Sequence, residues 1–157
     1  MTPYFRPRRS MLYVPGCNTR YLNKARTLKV DSVILDLGDP ILVEAKEESR
    51  RNVVEAVLAG GYGRREVVVR VNDLDSPWGR DDVKAVANIG ADAILFPNIE
   101  SKADVEQALS ALDAAALAVY THGMAGDALA SEGAPQGLLA SELCMALPRA
   151  LKQASAG

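Results

Sequence analysis

The sequence predicts an α/β fold in which parallel strands alternate with helices. Between residues 11 and 113, four short apolar segments are each followed by a segment with helical spacing of its apolar residues, and such alternation is typical of a parallel sheet. The chain has 157 residues, of which 48% are hydrophobic and 24% charged, as in soluble globular proteins. A complete (β/α)₈ barrel takes about 200–250 residues. The length therefore allows about half of such a barrel, or a doubly wound open sheet.

The first unit begins with the apolar run Met11–Pro15, which ends at a Pro-Gly pair. Asn18 follows and can cap a helix, because its side chain can accept a hydrogen bond from the first helical turn. The apolar residues of that helix are Tyr21, Leu22, Ala25 and Leu28. The next segment, Asp31–Leu37, is mostly apolar, which is typical of a strand buried on both faces.

The second helix is predicted over Glu44–Ala59 and ends at the glycine pair that follows. Its inner face is expected to carry Val53, Ala56 and Val57. Glu66–Asn72 then reads EVVVRVN, a third strand with many β-branched residues.

The third helix is predicted to start at Ser76-Pro77, with proline at the first helical position. Asp81 and Asp82 fall in its early turns, where the helix dipole favours acidic side chains. Ala91–Pro97 is the fourth predicted strand.

The fourth helix has the clearest signal in the chain. Ser101 and Asp104 resemble a capping box. Apolar residues follow with helical spacing at Val105, Ala108, Leu109 and Leu112.

The composition changes after Asp113, since residues 114–157 hold thirteen alanines and only two Lys or Arg. Leu117–Thr121 is the candidate for a fifth strand. Glycines at 123–126 and 133–137 are expected to interrupt any long helix, and 141–153 can form a last helix. We therefore expect a single partial-barrel domain over residues 1–157, with regular β/α units in 8–113 and a divergent alanine-rich end in 114–157.

Charge and composition exclude several classes of protein. The net charge is −2, so a broadly basic nucleic-acid-binding protein is not expected. The longest apolar runs are far shorter than the roughly 20 residues of a membrane span. Cys17 and Cys144 are the only cysteines, too few for a disulfide scaffold, and a reducing cytoplasm fits this usage.

Polar residues at the predicted strand ends are the candidate site, because ligands of parallel α/β folds bind at the carboxyl ends of the strands. These residues are Asp36, Asp39, Arg70, Asn98 and Glu100. Arg70 stands within an apolar strand, where a guanidinium needs an anionic partner. The partner can be a substrate carboxylate, bound through two parallel hydrogen bonds. It can equally be an internal carboxylate from Asp36, Asp39 or Glu100.

Asp36 and Asp39 are also candidates for holding a divalent metal, directly or through water. The alternative roles are an ion pair with Arg70 and capping of the loop that follows. Spacing alone leaves both interpretations open.

The strand-end segments resemble the citrate lyase beta-subunit-like CoA-ester lyases of the HpcH/HpaI aldolase superfamily. Four segments occur in the order of that family: RSMLYVPG from Arg9, LDLGDP from Leu35, VRVN from Val69 and PNIES from Pro97. Together they cover about residues 8–113.

The resemblance implies a (β/α)₈ barrel and Mg²⁺-assisted cleavage or formation of a carbon–carbon bond in a CoA thioester of the citryl, malyl or citramalyl type. It implies that Arg70 is the catalytic arginine that contacts the substrate carboxylate. The strand-end positions make Asp36, Asp39, Asn98 and Glu100 the further candidate substrate-binding residues. The implied ligand is an acyl-CoA or a small oxo acid.

Three departures from the family pattern favour a second hypothesis. Gly38 stands where the family has Glu, and Asn98 stands where it has Lys. The family's usual Mg²⁺ ligands, on later strands, are not identifiable, so the metal ligands are unknown. A half barrel also leaves strand edges unpaired, which predicts a homo-oligomer or another subunit. The alternative function is thus a catalytically inactive, truncated family member that acts as a partner-binding or accessory subunit.

Overall fold

Four parallel strands form one sheet in the computed structural model, which describes the backbone of residues 8–131 and the side chains of residues 8–116. Each strand lies beside its predecessor, in the order β1-β2-β3-β4. The strands are β1 Met11–Pro15, β2 Ser32–Asp36, β3 Glu66–Arg70 and β4 Ala93–Leu95. All four predicted strands are confirmed, although β2, β3 and β4 are shorter at their ends than the sequence suggested.

A helix follows each strand, so the predicted α/β fold with parallel β/α repeats is confirmed. The helices are α1 Thr19–Ala25, α2 Lys46–Ala59 with a 3₁₀ turn Val43–Ala45 before it, α3 Gly79–Val86 and α4 Lys102–Ser131. The sequential strand order is that of consecutive units of a (β/α)₈ barrel. A doubly wound sheet reverses its order at a switch point, and the four described strands show no such reversal. The structure is therefore consistent with half of a TIM-type barrel.

The contacts divide the chain into two compact units, residues 1–112 and 113–157. The first contains the sheet and α1–α3, together with the beginning of α4. The second, as far as it is described, is helical backbone up to Ser131. A single domain over residues 1–157 stays a prediction.

The buried core of the first unit follows the predicted periodicity. Every residue of β2 is buried, as expected for a central parallel strand. The inner face of α2 carries Val53, Ala56 and Val57 as predicted, and the helix ends at Gly60, whose φ is +63°.

Two helix starts are defined by side-chain caps. The Asn18 side chain accepts a hydrogen bond from Tyr21 N at 3.1 Å, as predicted for α1. The capping box of α4 is also present, because Asp104 Oδ2 accepts from Ser101 N at 2.7 Å while Ser101 Oγ accepts from Asp104 N at 3.3 Å.

The predicted start of α3 at Ser76-Pro77 is wrong by two residues. The helix begins at Gly79, because Ser76 N and Oγ both donate to Asp73 O and close a turn first. Ser76 Oγ then accepts from Gly79 N at 3.2 Å, at the beginning of the helix.

The alanine-rich segment corrects two further predictions. Residues 117–121 lie within α4 and form no fifth strand, and the helix continues past Gly123 and Gly126 to Ser131. Alanine has the highest helix propensity, and each interior glycine costs only about 1 kcal/mol relative to it. The predicted turn at 133–137 and the helix at 141–153 lie outside the described residues.

The inward face of α4 agrees with the predicted one at Ala108 but not at Val105 and Leu109. Ala108 and Ala111 are buried, whereas Val105 and Leu109 are about half exposed. The periodicity of the larger apolar side chains did not identify the face that packs, because that face carries small residues. None of the helices in the described part of the chain has both the length and the apolar character needed to cross a membrane.

An ion pair ties the segment before β1 to the loop before β2. Arg9 Nη2 lies 2.9 Å from Asp31 Oδ1, and Asp31 Oδ2 accepts from Arg9 N and Nε. The hydrogen bond from the Arg9 side chain lowers the pKa of Asp31 from 3.8 to about 2.

We expect the stabilisation from this pair to be complete above about pH 3.8 and to disappear as the pH falls through about 2, because the folded-state pKa lies below the unfolded one. An NMR titration of the Asp31 carboxyl in Arg9→Gln should show the pKa rising toward 3.8. The same midpoint in both proteins would contradict this assignment.

Candidate functional site

The carboxyl ends of the four strands lie in one row. Pro15 pairs in register with Asp36, Asp36 with Arg70, and Arg70 with Leu95. Register partners in parallel strands point to the same face of the sheet. Asp36 and Arg70 are therefore neighbours on one face, at the edge where this class of fold binds its ligands.

Arg70 is held by two carboxylates. Its Nη1 lies 3.3 Å from Asp36 Oδ2, and its Nη2 lies 2.9 Å from Asp39 Oδ2. The Arg70 side chain is 19% exposed. Burial by itself lowers the pKa of Arg70, but the hydrogen bond to Asp39 and the charges of both aspartates outweigh it, so the pKa lies above its ordinary value. The guanidinium is thus a fixed positive charge with access to solvent.

The loop after β2 is shaped to receive this guanidinium. Asp36 Oδ1 accepts from Gly38 N at 2.8 Å, which orients the carboxylate. A Cβ atom at position 38 would lie 3.1 Å from Asp36 Oδ1 and 3.2 Å from Arg70 Cζ. The absence of a side chain at Gly38 therefore lets Arg70 lie close against the loop backbone.

Lys46 is a residue of this region that the sequence reasoning did not select. Its Nζ donates to Leu37 O at 2.9 Å, to Gly38 O at 2.7 Å and to Asn72 Oδ1 at 2.6 Å. Burial lowers the pKa of Lys46, while the charges of nearby aspartates act in the opposite direction. The ammonium group joins the loop after β2 to the loop after β3.

Asp82 extends this network into α3. Its Oδ2 accepts from Asn72 N at 3.0 Å and from Asn72 Nδ2 at 2.6 Å, and its Oδ1 accepts from Arg50 Nε at 2.7 Å. Asp82 is 1% exposed. The four residues Lys46, Asn72, Asp82 and Arg50 form one connected set of hydrogen bonds behind the Arg70 site.

A signal for this network was present in the sequence. Lys46 and Ser49 precede Val53 and Ala56 at helical spacing, so they lie on the inner face of α2, where both are buried. A lysine on an apolar helix face needs polar partners. The position of Lys46 on this face therefore indicates a buried polar network.

Asn98 and Glu100 are not joined to the Arg70 group by any hydrogen bond or ion pair within the described residues. Asn98 has a positive φ of 55°, and its Nδ2 donates to Asp73 Oδ2 at 2.8 Å. That bond lowers the pKa of Asp73. Glu100 is exposed, and its backbone N–H donates to Asp104. The internal alternatives for Arg70 are therefore Asp36 and Asp39, and Glu100 is excluded.

The described residues do not fit a Mg²⁺ site by themselves. Among them, no group of three or more His, Cys, Asp or Glu side chains is placed to hold a metal ion. Asp36 and Asp39 direct carboxylate oxygens at Arg70, and Asp36 also accepts from Gly38 N. The chemistry that this geometry supports directly is the binding of an anion, and a planar guanidinium matches a carboxylate.

Charged side chains at the carboxyl ends of consecutive parallel strands are the site layout of (β/α)₈-barrel proteins. The chain belongs to the HpcH/HpaI aldolase/citrate lyase family, whose model matches residues 9–119. The resemblance drawn from the four sequence segments is thereby confirmed.

The curated relatives that match this chain include malyl-CoA thioesterases and citrate lyase beta subunits. The chain is 44% identical over 100 residues to a (3S)-malyl-CoA thioesterase of Cereibacter sphaeroides. The matched segment covers 64% of this chain and 35% of the relative. It is 39% identical over 98 residues to the citrate lyase subunit beta of Leuconostoc mesenteroides, covering 62% and 32% respectively. The chain thus matches about one third of the length of these relatives.

A solved structure is also similar to this chain. It is the crystal structure of RipC from Yersinia pestis, which is 27% identical, with a TM-score of 0.47, and the match covers 66% of this chain and 40% of that one.

Proposed function

We propose that this chain contributes a carboxylate-binding half-site to a carbon–carbon lyase that acts on a CoA thioester of the citryl, malyl or citramalyl type. The observation that carries the proposal is the fixed Arg70 guanidinium at the carboxyl ends of the strands, held by Asp36 and Asp39. The names of the relatives support it, because citrate and malate are hydroxy acids with more than one carboxylate.

Arg70 binds and orients the acid part of the substrate in this proposal. Fixing a carboxylate through charge-assisted hydrogen bonds holds the neighbouring carbon–carbon bond in one position. The Lys46 network keeps the two loops that carry the aspartates and Asn72 in place. Dependence on Mg²⁺ is proposed from family membership alone, since the described residues offer no set of metal ligands.

Asn98 and Glu100 are proposed as further substrate contacts. Both lie on the segment after β4 and are exposed, so a ligand at the sheet edge can reach them.

Residues 8–113 are proposed as the β/α units that form the half-site, and 114–157 as a divergent end. Cys17 is a free, exposed thiol, which suits the proposed reducing cytoplasm.

A partner-binding accessory chain is the second candidate function. It is favoured by the two outer strands, because β1 and β4 each pair with only one strand among those described, and Met11 and Tyr13 of β1 are about half exposed. The partner would be a second copy of the chain or another subunit. A molar mass measured in solution tests this candidate, and a strict monomer counts against it.

The test of the lyase is cleavage of citryl-, malyl- and citramalyl-CoA by the full chain, with Mg²⁺ and with a chelator. We expect Arg70→Gln to lower kcat/KM by about 10- to 150-fold, because a hydrogen bond to a charged group contributes about 1.5–3 kcal/mol. The matched control is Arg51→Gln, an exposed arginine on the outer face of α2.

Two results would count against the lyase. Full activity in Arg70→Gln would remove the role of the guanidinium. A wild-type chain that binds neither Mg²⁺ nor the thioesters and turns over none of them would leave the accessory chain as the better candidate.

A further inference from the structure

The two carboxylates on Arg70 differ in how firmly they are held. The Asp36 side chain is 5% exposed, and its second oxygen accepts from Gly38 N at 2.8 Å. The Asp39 side chain is 89% exposed, and the bond to Arg70 Nη2 is its only side-chain hydrogen bond within the described residues. One partner is therefore built into the end of β2, and the other is a surface carboxylate.

Displacement of Asp39 has a small energetic cost. An exposed ion pair changes an equilibrium constant by a factor of only about 1.5 to 5, and water is available to solvate the released carboxylate. Displacement of Asp36 would leave a buried charge without its cation, which is far more costly. An incoming carboxylate can thus replace Asp39 and form the same kind of bond to Nη2, while Asp36 stays in place.

The local charge also favours this exchange. Arg70 with its two aspartates carries a net charge of −1, and the Lys46 ammonium, bound to the adjacent Gly38 carbonyl, brings the group to neutrality. With Asp39 moved away, the same group carries a charge of +1. The position that Asp39 vacates is therefore suited to an anion.

We propose that Asp39 occupies the position of the substrate carboxylate on Arg70 Nη2, leaves when the substrate binds, and sets the affinity of the site by this competition. The inference rests on the proposed function and adds to it an affinity-determining residue. The competition for Arg70 selects for ligands whose carboxylate can displace Asp39, and it disfavours neutral analogues that cannot replace a charged partner. Gly38 assists, since no side chain at that position crowds the guanidinium during the exchange.

The experiment is titration of the full chain with malonate, a small dicarboxylate, by isothermal calorimetry. We expect Asp39→Asn to bind malonate about two- to fivefold more tightly than wild type, because the competing charge is gone. Asp39→Ala should tighten binding at least as much, since it also removes the acceptor that asparagine retains. Asp81→Asn is the matched control, because Asp81 is likewise an exposed, ion-paired aspartate, but on α3, and its Kd should equal that of wild type.

The outcomes separate this inference from the proposed function. Unchanged or weaker binding in both Asp39 variants, with wild-type binding that is lost in Arg70→Gln, overturns the role of Asp39 and leaves the function of Arg70 standing. Equal tightening in Asp81→Asn also overturns it, because net charge alone would then explain the effect. Binding to Arg70→Gln as tight as to wild type would refute the proposed function and this inference together.

Discussion

Asp82→Ala is expected to lower the free energy of unfolding by about 3–5 kcal/mol, the range for removing one partner of a buried ion pair. The substitution takes the acceptor away from Asn72 N, Asn72 Nδ2 and Arg50 Nε at once. Because Asn72 also accepts from Lys46, the loss should extend to the loops behind Arg70. Urea unfolding followed by the fluorescence of the single tryptophan, Trp78, measures the change.

Asp81→Ala is the matched control for this variant. Asp81 is the preceding residue of α3, but its side chain is 57% exposed and pairs with Lys84 on the surface, so its loss should cost no more than about 1 kcal/mol. If Asp82→Ala does not fold, Asp82→Asn supplies the measurement, because asparagine keeps the shape and one acceptor. Equal stabilities for the Asp81 and Asp82 variants would show that the network contributes little.

Gly79→Ala is expected to destabilise the protein by about 3 kcal/mol, at the upper end of the cost of overpacking. A Cβ at this position would lie 2.1 Å from Asp73 O and 2.7 Å from Asp73 C. Both atoms belong to backbone that is held in place by Ser76, whose N and Oγ donate to Asp73 O. The start of α3 and the loop that carries Asn72 must therefore move apart.

Gly90→Ala separates this clash from ordinary backbone strain. Gly90 has a φ of +86°, and apart from its chain neighbours no atom of the described residues lies within 4 Å of an added Cβ, so its substitution should cost only about 1–2 kcal/mol. The two variants can be compared by thermal unfolding, and malonate binding should weaken in Gly79→Ala alone. A smaller loss at Gly79 than at Gly90 would show that the loop adapts to the extra atom.

The strand-end residues illustrate how far sequence reasoning reached into the site. The sequence predicts Asp36 and Arg70 for the site because each lies near the carboxyl end of an apolar strand, and parallel strands bring such ends to one edge. Their register as direct partners and the different exposure of Asp36 and Asp39 required the structure. The same rule predicts Asn98 and Glu100 for the site, but the turn after β4 leads them to partners of their own.

The sequence alone determined the alternation of strands and helices, the caps at Asn18 and Ser101, and the placement of Asp36 and Arg70 at the carboxyl edge of the sheet. These are local properties, because periodicity, capping and strand ends depend on residues a few positions apart. Only the tertiary structure decided the sequential strand order, the burial of Lys46 against Asn72, and the choice of Ala108 rather than Leu109 as the packed side of α4. Those outcomes depend on which distant segments meet, since a buried charge is stable only where another part of the chain supplies its partners.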